Sequence, residues 1–508
     1  MTDHTAGELS ELKDLVRSIS VGSRIAEQET ENLSNYFVKT ESWRQVRQGE
    51  VDIIFAPKGG GKSAIYSMLL SLADDFFDRN ILLVTADNPQ GDTAFSAVTP
   101  NTTEEEFRRL WKLYFIVLIA DTFSSYSFNS DPAKRLLKIL SDTGLLPNAA
   151  KWRRPTITKI LDYIRRLGKS GVESIETSFA VGVQGATVTP KIVFRDTTEA
   201  ERSAGIASLN DLMDLAQEAL EYQEIKIWIL LDRLDAAFLE SPEFERNALR
   251  GLFRAYRDMD EMPNVSLRIF LRTDIWDSIT RDGFREASHI TRTLEIRWDS
   301  EDLLQLVIQR IAQSADLVEH YSTTQAEILS SSKNRAEFFY RVFPYQVDPG
   351  SKKPNTFEWC LTRTADGKGA NAPRELIHLL EEVRSKQLKL FELGSANPSN
   401  ETIFDRNAFK NALPAVSSSR IQQTLYAESP TLRDYIEALR GGKTRHNADS
   451  LMAVWGLSRS ETLQIAESLV GVGFFEARAD DFWVPFLYRP GLNLVQGSAA
   501  GVAVGDDD

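Results

Sequence analysis

Apolar runs and helix-period apolar stripes alternate along this 508-residue chain. Short, nearly uninterrupted apolar runs at 51–55, 81–84, 225–231, 265–271 and 293–298 predict five buried strands. Between them, apolar residues recur every three or four positions, most clearly at 209–220, 243–256 and 301–312, which predicts helices. At Thr103 a capping box with Glu106 precedes the apolar run 110–119, so a buried helix is expected there. Strands that alternate with helices predict a doubly wound parallel sheet with ligands at its carboxyl edge. Helical stripes at 8–19, through Leu9, Leu12, Leu15, Val16 and Ile19, and more weakly at 27–46, predict a helical lead-in. Residues 130–202 read as a helical insertion, with alternation at 178–194 that predicts a hairpin or loop. Beyond 312 the helical pattern is interrupted up to 366, then a helix opens at Pro373. Residues 398–409 read as connection. Helices at 432–439, 448–455 and 460–472, followed by apolar runs near Phe474 and at 483–487, predict a winged helix.

The candidate chemistry sits where the first strand breaks. Ala56-Pro57-Lys58-Gly59-Gly60-Gly61-Lys62-Ser63 fits a phosphate loop, with alanine at the first glycine position. Glycines let phosphate oxygens approach backbone N–H groups at the positive end of the following helix, which continues through Ala64. Lys62 is placed to reach the β- and γ-phosphates, and the Ser63 hydroxyl to ligate Mg²⁺. The run 225–231 delivers Asp232 and Asp235 to the sheet edge, Asp232 for the metal and Asp235 to polarise an attacking water. At the end of the next strand Arg272 or Asp274 could stabilise the transferring group. Arg374 is either a second sensor on a lid helix or an ordinary surface arginine. Arg254 and Arg257 are the candidates for an arginine finger acting on a neighbouring subunit.

Bulk properties narrow the classes. A chain of this length suits about three domains, and 42% hydrophobic residues supply a large core. No apolar segment approaches the ~18 residues of a membrane span, and the acidic amino terminus is unlike a signal peptide. The single cysteine, Cys360, excludes an internal disulfide framework and a cysteine-based zinc site, which suits the cytoplasm. A net charge of −14 argues against a generally nucleic-acid-binding surface. The lysines and arginines of 151–169 interleave with apolar residues and read first as a solvated helix face. The third helix of the expected winged helix carries Glu461 and Glu467 and no basic residue, which favours protein contact over groove reading.

Several landmarks coincide: AEQETENL and FVKT ahead of KGGGKSAI, then LLDRLD, RIFLRTDIWDSI, LEIRWDSEDLLQLVIQRI, APRELIHLLEEV and FWVPFLYRPGL. Together they resemble bacterial P-loop ATPases akin to the STAND and KAP groups within the AAA+-like ATPases. The resemblance implies an ASCE-type α/β core with a helical lid and a carboxyl-terminal winged helix. Its expected domains are a lead-in at 1–50, the core at 51–312, the lid at 313–400, the winged helix at 401–495 and a disordered acidic tail at 496–508. It also implies ATP and Mg²⁺ as cofactors. On the matching positions Lys62 and Ser63 are the Walker A pair, Asp232 the Walker B aspartate and Asp235 the second acid, with Arg272 and Arg374 at the sensor positions. Arg233 stands where many fast ATPases have a catalytic glutamate, so slow turnover is expected. The implied function is a cytoplasmic, oligomeric, Mg-dependent ATPase switch that assembles with a protein effector, as in anti-phage defence. The alternatives are a nucleotide-dependent scaffold with negligible hydrolysis and an ATPase stimulated by nucleic acid through the winged helix.

Overall fold

A computed structural model describes residues 6–24, 29, 33–86, 102–146, 191–193, 196–203, 205–234, 242–281, 283–396 and 402–499. The chain divides into two compact units. One comprises residues 41–57 and 62–296; the other comprises 1–40, 58–61 and 297–508.

The first unit is built on a five-stranded sheet. Its strands are β1 (Ile53–Ala56), β2 (Ile81–Ala86), β5 (Lys226–Leu231), β6 (Val265–Arg272) and β7 (Thr293–Glu295), in the order β2-β5-β6-β1-β7. Every neighbouring pair is parallel. All five predicted strands are present, β7 shorter than its apolar pattern suggested. β1 is buried at every position and β5 at all but its first, the pattern of strands covered on both faces. One strand, β6, lies between the strand before the phosphate loop and the strand before Asp232. That intervening strand defines the ASCE arrangement of the P-loop fold.

Helices pack on this sheet through apolar faces. The Glu104–Ser125 helix starts at the predicted capping box: the Thr103 side chain accepts from Glu106 N–H, and Glu106 accepts from Thr103 N–H at 2.7 Å. Its length from Phe107 to Phe123 is buried almost all round. The Leu209–Gln223 helix is capped in the same way by Ser208 and Asp211. Within the expected insertion, the Asp131–Asp142 helix is followed, among the described residues, by β3 (Lys191–Val193). Among the described residues β3 pairs in parallel with β4 (Ile206–Ser208). The basic stretch 151–169 and the rest of 178–190 lie outside the described residues.

The amino ends of the strands carry a buried ionic cluster that apolar patterning hid. Arg268, in the middle of β6, is 2% exposed. It pairs with Asp52 and stacks 4.0 Å over the Trp228 ring. Asp52 also accepts from the Tyr256 hydroxyl and from Arg292 Nε, both at 2.8 Å. Burial pulls the Arg268 guanidinium down to about 10, against the upward pull of Asp52.

In the second unit the Ala6–Ser18 helix covers the apolar stripe at 8–19. Arg384 on the Pro373–Glu392 helix donates to the carbonyls of Val16 and Arg17 near its end. The weaker 27–46 stripe resolves into two short helices, Leu33–Tyr36 and Glu41–Gln48, the second belonging to the first unit. The interrupted pattern after 312 has a local cause. Ser314, Thr324, Ser331 and Asn355 each cap a new short helix, so the chain restarts four times.

The carboxyl-terminal part differs most from its sequence pattern. The Arg406–Arg420 helix, capped by Asp405, begins inside the stretch read as connection and runs into a π-helical turn, Ile421–Tyr426. After the Arg433–Glu437 helix come β8 (Lys443–Asn447), the Ala448–Trp455 and Arg459–Gly471 helices, and the ribbon of β9 (Glu476–Arg478) and β10 (Asp481–Trp483). The three helices and the ribbon follow the sequence pattern, with β8 an addition that the pattern did not contain. A last strand, β11 (Val495–Ser498), pairs in parallel with β8 where the disordered tail was expected to begin. Residues 500–508 lie outside the described residues. The Pro373–Glu392 helix and these elements share one apolar core, which includes Leu379, Phe404, Leu451 and Leu487.

Candidate functional site

The predicted phosphate loop leaves the carboxyl end of β1 and enters the Lys62–Ser71 helix. Gly59 and Gly61 have φ of +78° and +101°, values that side-chain-bearing residues rarely adopt. Ala56, at the first glycine position, is instead the fully buried last residue of β1, paired with Arg272. It has no positive φ, so alanine costs nothing there.

In the first unit, Lys62, Ser63 and Asp232 come together. Lys62 Nζ reaches back to the carbonyls of Ala56 at 2.8 Å and Pro57 at 3.2 Å. Ser63 Oγ donates to Asp232 at 3.2 Å, joining the start of the helix to the end of β5. Burial lifts the Asp232 carboxyl above the usual range, opposed by the Arg233 N–H, Lys62 and Ser63. Ala64 follows Ser63 in the helix and is half-buried. Arg233 is exposed and left-handed, with φ +56°, so no carboxylate stands directly after Asp232. Asp235 lies outside the described residues.

Arg272 and Asp274, read as alternatives, form a pair: the guanidinium donates to the carboxylate at 3.0 and 2.6 Å. Burial alone would raise the Asp274 carboxyl, but Arg272, helped by Lys62, holds it below the usual range. Arg254 is engaged within its own unit by Glu104 at 2.9 Å and Glu286 at 3.1 Å. Arg257 is exposed.

The loop residues 58–61 belong to the second unit. A Cβ on Gly59 would lie 2.8 Å from the Arg374 Cβ, so the loop backbone rests on Arg374 at the first turn of its helix. The buried Nε of Arg374 makes no hydrogen bond among the described residues. This arginine therefore lies against the loop. Lys58 is tied by its amine to Glu428 at 2.7 Å and to the Gln423 carbonyl at 3.3 Å, in and just beyond the π-helical turn. Trp298 Nε1 donates to the Gly60 carbonyl at 2.9 Å. Trp298 and Glu428 went unread in the sequence, where nothing local connects them to residues more than 200 positions earlier.

Chemically, a glycine-lined loop ahead of a helix amino terminus suits a phosphate group. The Ser63 hydroxyl and Asp232 carboxylate are hard oxygen donors in contact, a set that fits Mg²⁺ completing its octahedron with water and phosphate oxygens. Among the described residues no group of three or more histidine, cysteine or acidic side chains forms an all-protein metal cage. No helix among them is long and apolar enough to cross a membrane.

No family model and no curated protein matches the chain. Among solved structures it is similar to the Aeropyrum pernix ORC2 protein in ADPNP–ADP complexes. That match has 11% identity and a TM-score of 0.41, covering 90% of this chain and 93% of the other. It is also similar to the Aeropyrum pernix ORC1 protein in complex with DNA, at 10% identity and a TM-score of 0.33, covering 90% and 92%.

Proposed function

We propose that the chain is a Mg-dependent ATP-binding protein that hydrolyses ATP slowly and uses the nucleotide as a switch. The observation that carries this reading is the meeting of Lys62, Ser63 and Asp232 at the carboxyl edge of an ASCE-ordered sheet. In this reading the N–H groups of residues 59–63 and the Lys62 ammonium hold the β- and γ-phosphates. Ser63 and Asp232 hold Mg²⁺, which when bound neutralises charge on the phosphate oxygens. The Arg272–Asp274 pair at the end of β6 orients the edge beside the phosphate loop, and Asp235 is the acid assigned to the attacking water. Phosphoryl transfer needs chiefly positioning and charge neutralisation, and these residues supply both.

Titration calorimetry with Mg-ATP tests the reading. Lys62→Ala is expected to abolish binding, and Asp235→Asn to preserve binding while stopping phosphate release. Unaltered protein that does not bind ATP refutes it.

A second reading, a nucleotide-dependent scaffold with negligible hydrolysis, is favoured by Arg233, whose exposed, left-handed position leaves no carboxylate next to Asp232. Steady-state phosphate release separates the two. The effector partner, an oligomeric assembly and a role in defence follow from the family resemblance and belong to the proposal. Co-purification of a gene product whose association changes with ATP would support them. Binding to DNA or RNA that weakens steeply with log salt would support the nucleic-acid alternative.

A further inference from the structure

The three consecutive glycines of the loop raise a physical problem. Phosphate binding requires each peptide N–H to face the ligand, but a peptide unit between two glycines can turn over at little steric cost. A loop that spends time in the turned-over state binds more weakly by the fraction of time it is wrong. Something must fix the Gly60–Gly61 peptide.

We infer that Trp298 is a positioning residue for the phosphate loop, holding the Gly60–Gly61 peptide with its carbonyl toward the indole and its N–H directed the other way. The inference rests on the nucleotide reading above. Trp298 Nε1 donates to the Gly60 oxygen at 2.9 Å. In a trans peptide the following N–H is antiparallel to the carbonyl, so this bond sends the Gly61 N–H away from the ring. The ring also lies where it restricts the next residue. A Cβ built on Gly61 would sit 3.5 Å from Cζ2 and 3.8 Å from Nε1, so the indole packs flush against the glycine. The Gly60 residue is buried, which leaves its carbonyl little access to water if the peptide turned. Trp298 itself is anchored, packing against the second unit's apolar core immediately before the Asp299 cap of the Ser300–Ile311 helix. An indole held at its base and donating at its tip is a rigid prop, with few rotamers to lose.

The bond acts on ground-state phosphate binding, so its loss raises KM and Kd and leaves kcat nearly unchanged. One net hydrogen bond corresponds to roughly a 2–10-fold effect. The test compares unaltered protein, Trp298→Phe, which keeps a ring and lacks the N–H, and Trp298→His, which retains a ring N–H donor. Mg-ATP affinity, KM, kcat and melting temperature are measured for each. The expected result is a 2–10-fold rise in Kd and KM for Trp298→Phe at unchanged kcat, with part of the affinity restored in Trp298→His. As a second measurement on the unaltered protein, one tryptophan indole N–H is expected to become more protected from hydrogen exchange when Mg-ATP is added. Trp298→Phe with unaltered Kd and KM overturns the inference while leaving ATP binding intact. If that variant does not fold, no gain of indole protection in the unaltered protein overturns it. Unaltered protein that fails to bind ATP overturns both this inference and the nucleotide reading.

Discussion

Replacing Asp52 by alanine tests how far the sheet depends on the buried ionic cluster at its amino edge. Asp52 is 7% exposed and accepts from Arg268, Arg292 and the Tyr256 hydroxyl. Removing it leaves the Arg268 charge, 2% exposed, without its counter-ion. Breaking a buried pair from one side costs about 3–5 kcal/mol. The Tyr256 hydroxyl loses its acceptor as well, about 1 kcal/mol more, although half-exposed Arg292 can return to water. The described residues form two cores, so a single melting curve mixes them. Native-state hydrogen exchange at the amides of β1 and β6 isolates the relevant one. Protection there is expected to fall by roughly 10³–10⁴-fold, since the combined cost is about 4–6 kcal/mol and each 1.4 kcal/mol is a factor of ten. The double replacement Asp52→Leu with Arg268→Met, which removes both charges, is expected to recover most of the loss. Mg-ATP affinity at low temperature is expected to stay within about twofold, because Asp52 lies four residues, or about 13 Å along the strand, before Ala56. The reasoning is refuted if the single replacement costs under about 1 kcal/mol, or if the double replacement is no better than the single.

Three further outcomes are expected. His378, whose imidazole is pulled down to about 4 by burial and by Arg24, stays neutral in the folded chain while the unfolded chain protonates near 6.5. Its contribution is therefore complete above pH 6.5 and is lost as pH falls to about 4, at most about 3 kcal/mol; His378→Gln should flatten the acid limb of stability measured from pH 7 to 4. Arg233→Glu, which puts a carboxylate directly after Asp232, should raise phosphate release at least tenfold, below the full 10²–10⁴ of a well-placed base because the backbone there is left-handed. No rise would mean that another step limits turnover. Cys360 is buried and its thiol is pushed up by burial, so a thiol reagent should label it only after denaturation; rapid native labelling would show that its helix opens readily.

What the sequence made legible follows from range. β1, β2, β5 and β6 were readable because each carries its own signal, a continuous apolar run broken by a turn or an acid. The Thr103–Glu106 cap was readable because both partners lie within one helical turn. β8 was not, because Lys443-Thr-Arg-His-Asn carries no apolar residue; only Thr444 and His446 turn inward, and strand pairing supplies the rest. β11 was missed because its ladder partner lies 52 residues earlier, Val495 facing Lys443 of β8, and its composition is that of a tail. Arg268 was passed over because a lone charge inside a strand makes sense only once Asp52, 216 residues earlier, is beside it. At the site, Lys62, Ser63 and Asp232 were legible from motif spacing. The alternatives Arg272 and Asp274 proved to be one ion pair, which single-residue reading could not express. Trp298 and Glu428 act on the loop from distant sequence, and no periodicity points to them.

The order of the strands also has a consequence for biogenesis. β1 is synthesised before every other strand of its sheet, and both of its ladder partners, β6 and β7, are encoded more than 200 residues later. At about 5–20 residues per second, a nascent chain carries this apolar strand with two open edges for roughly 10–50 s before either partner emerges. Such an edge is a template for unwanted pairing, and the brevity of β1, four residues, keeps that template small. The strand that delivers the phosphate loop is therefore also the point where the newborn chain most needs protection, and expression at lower translation speed should increase its dependence on chaperones.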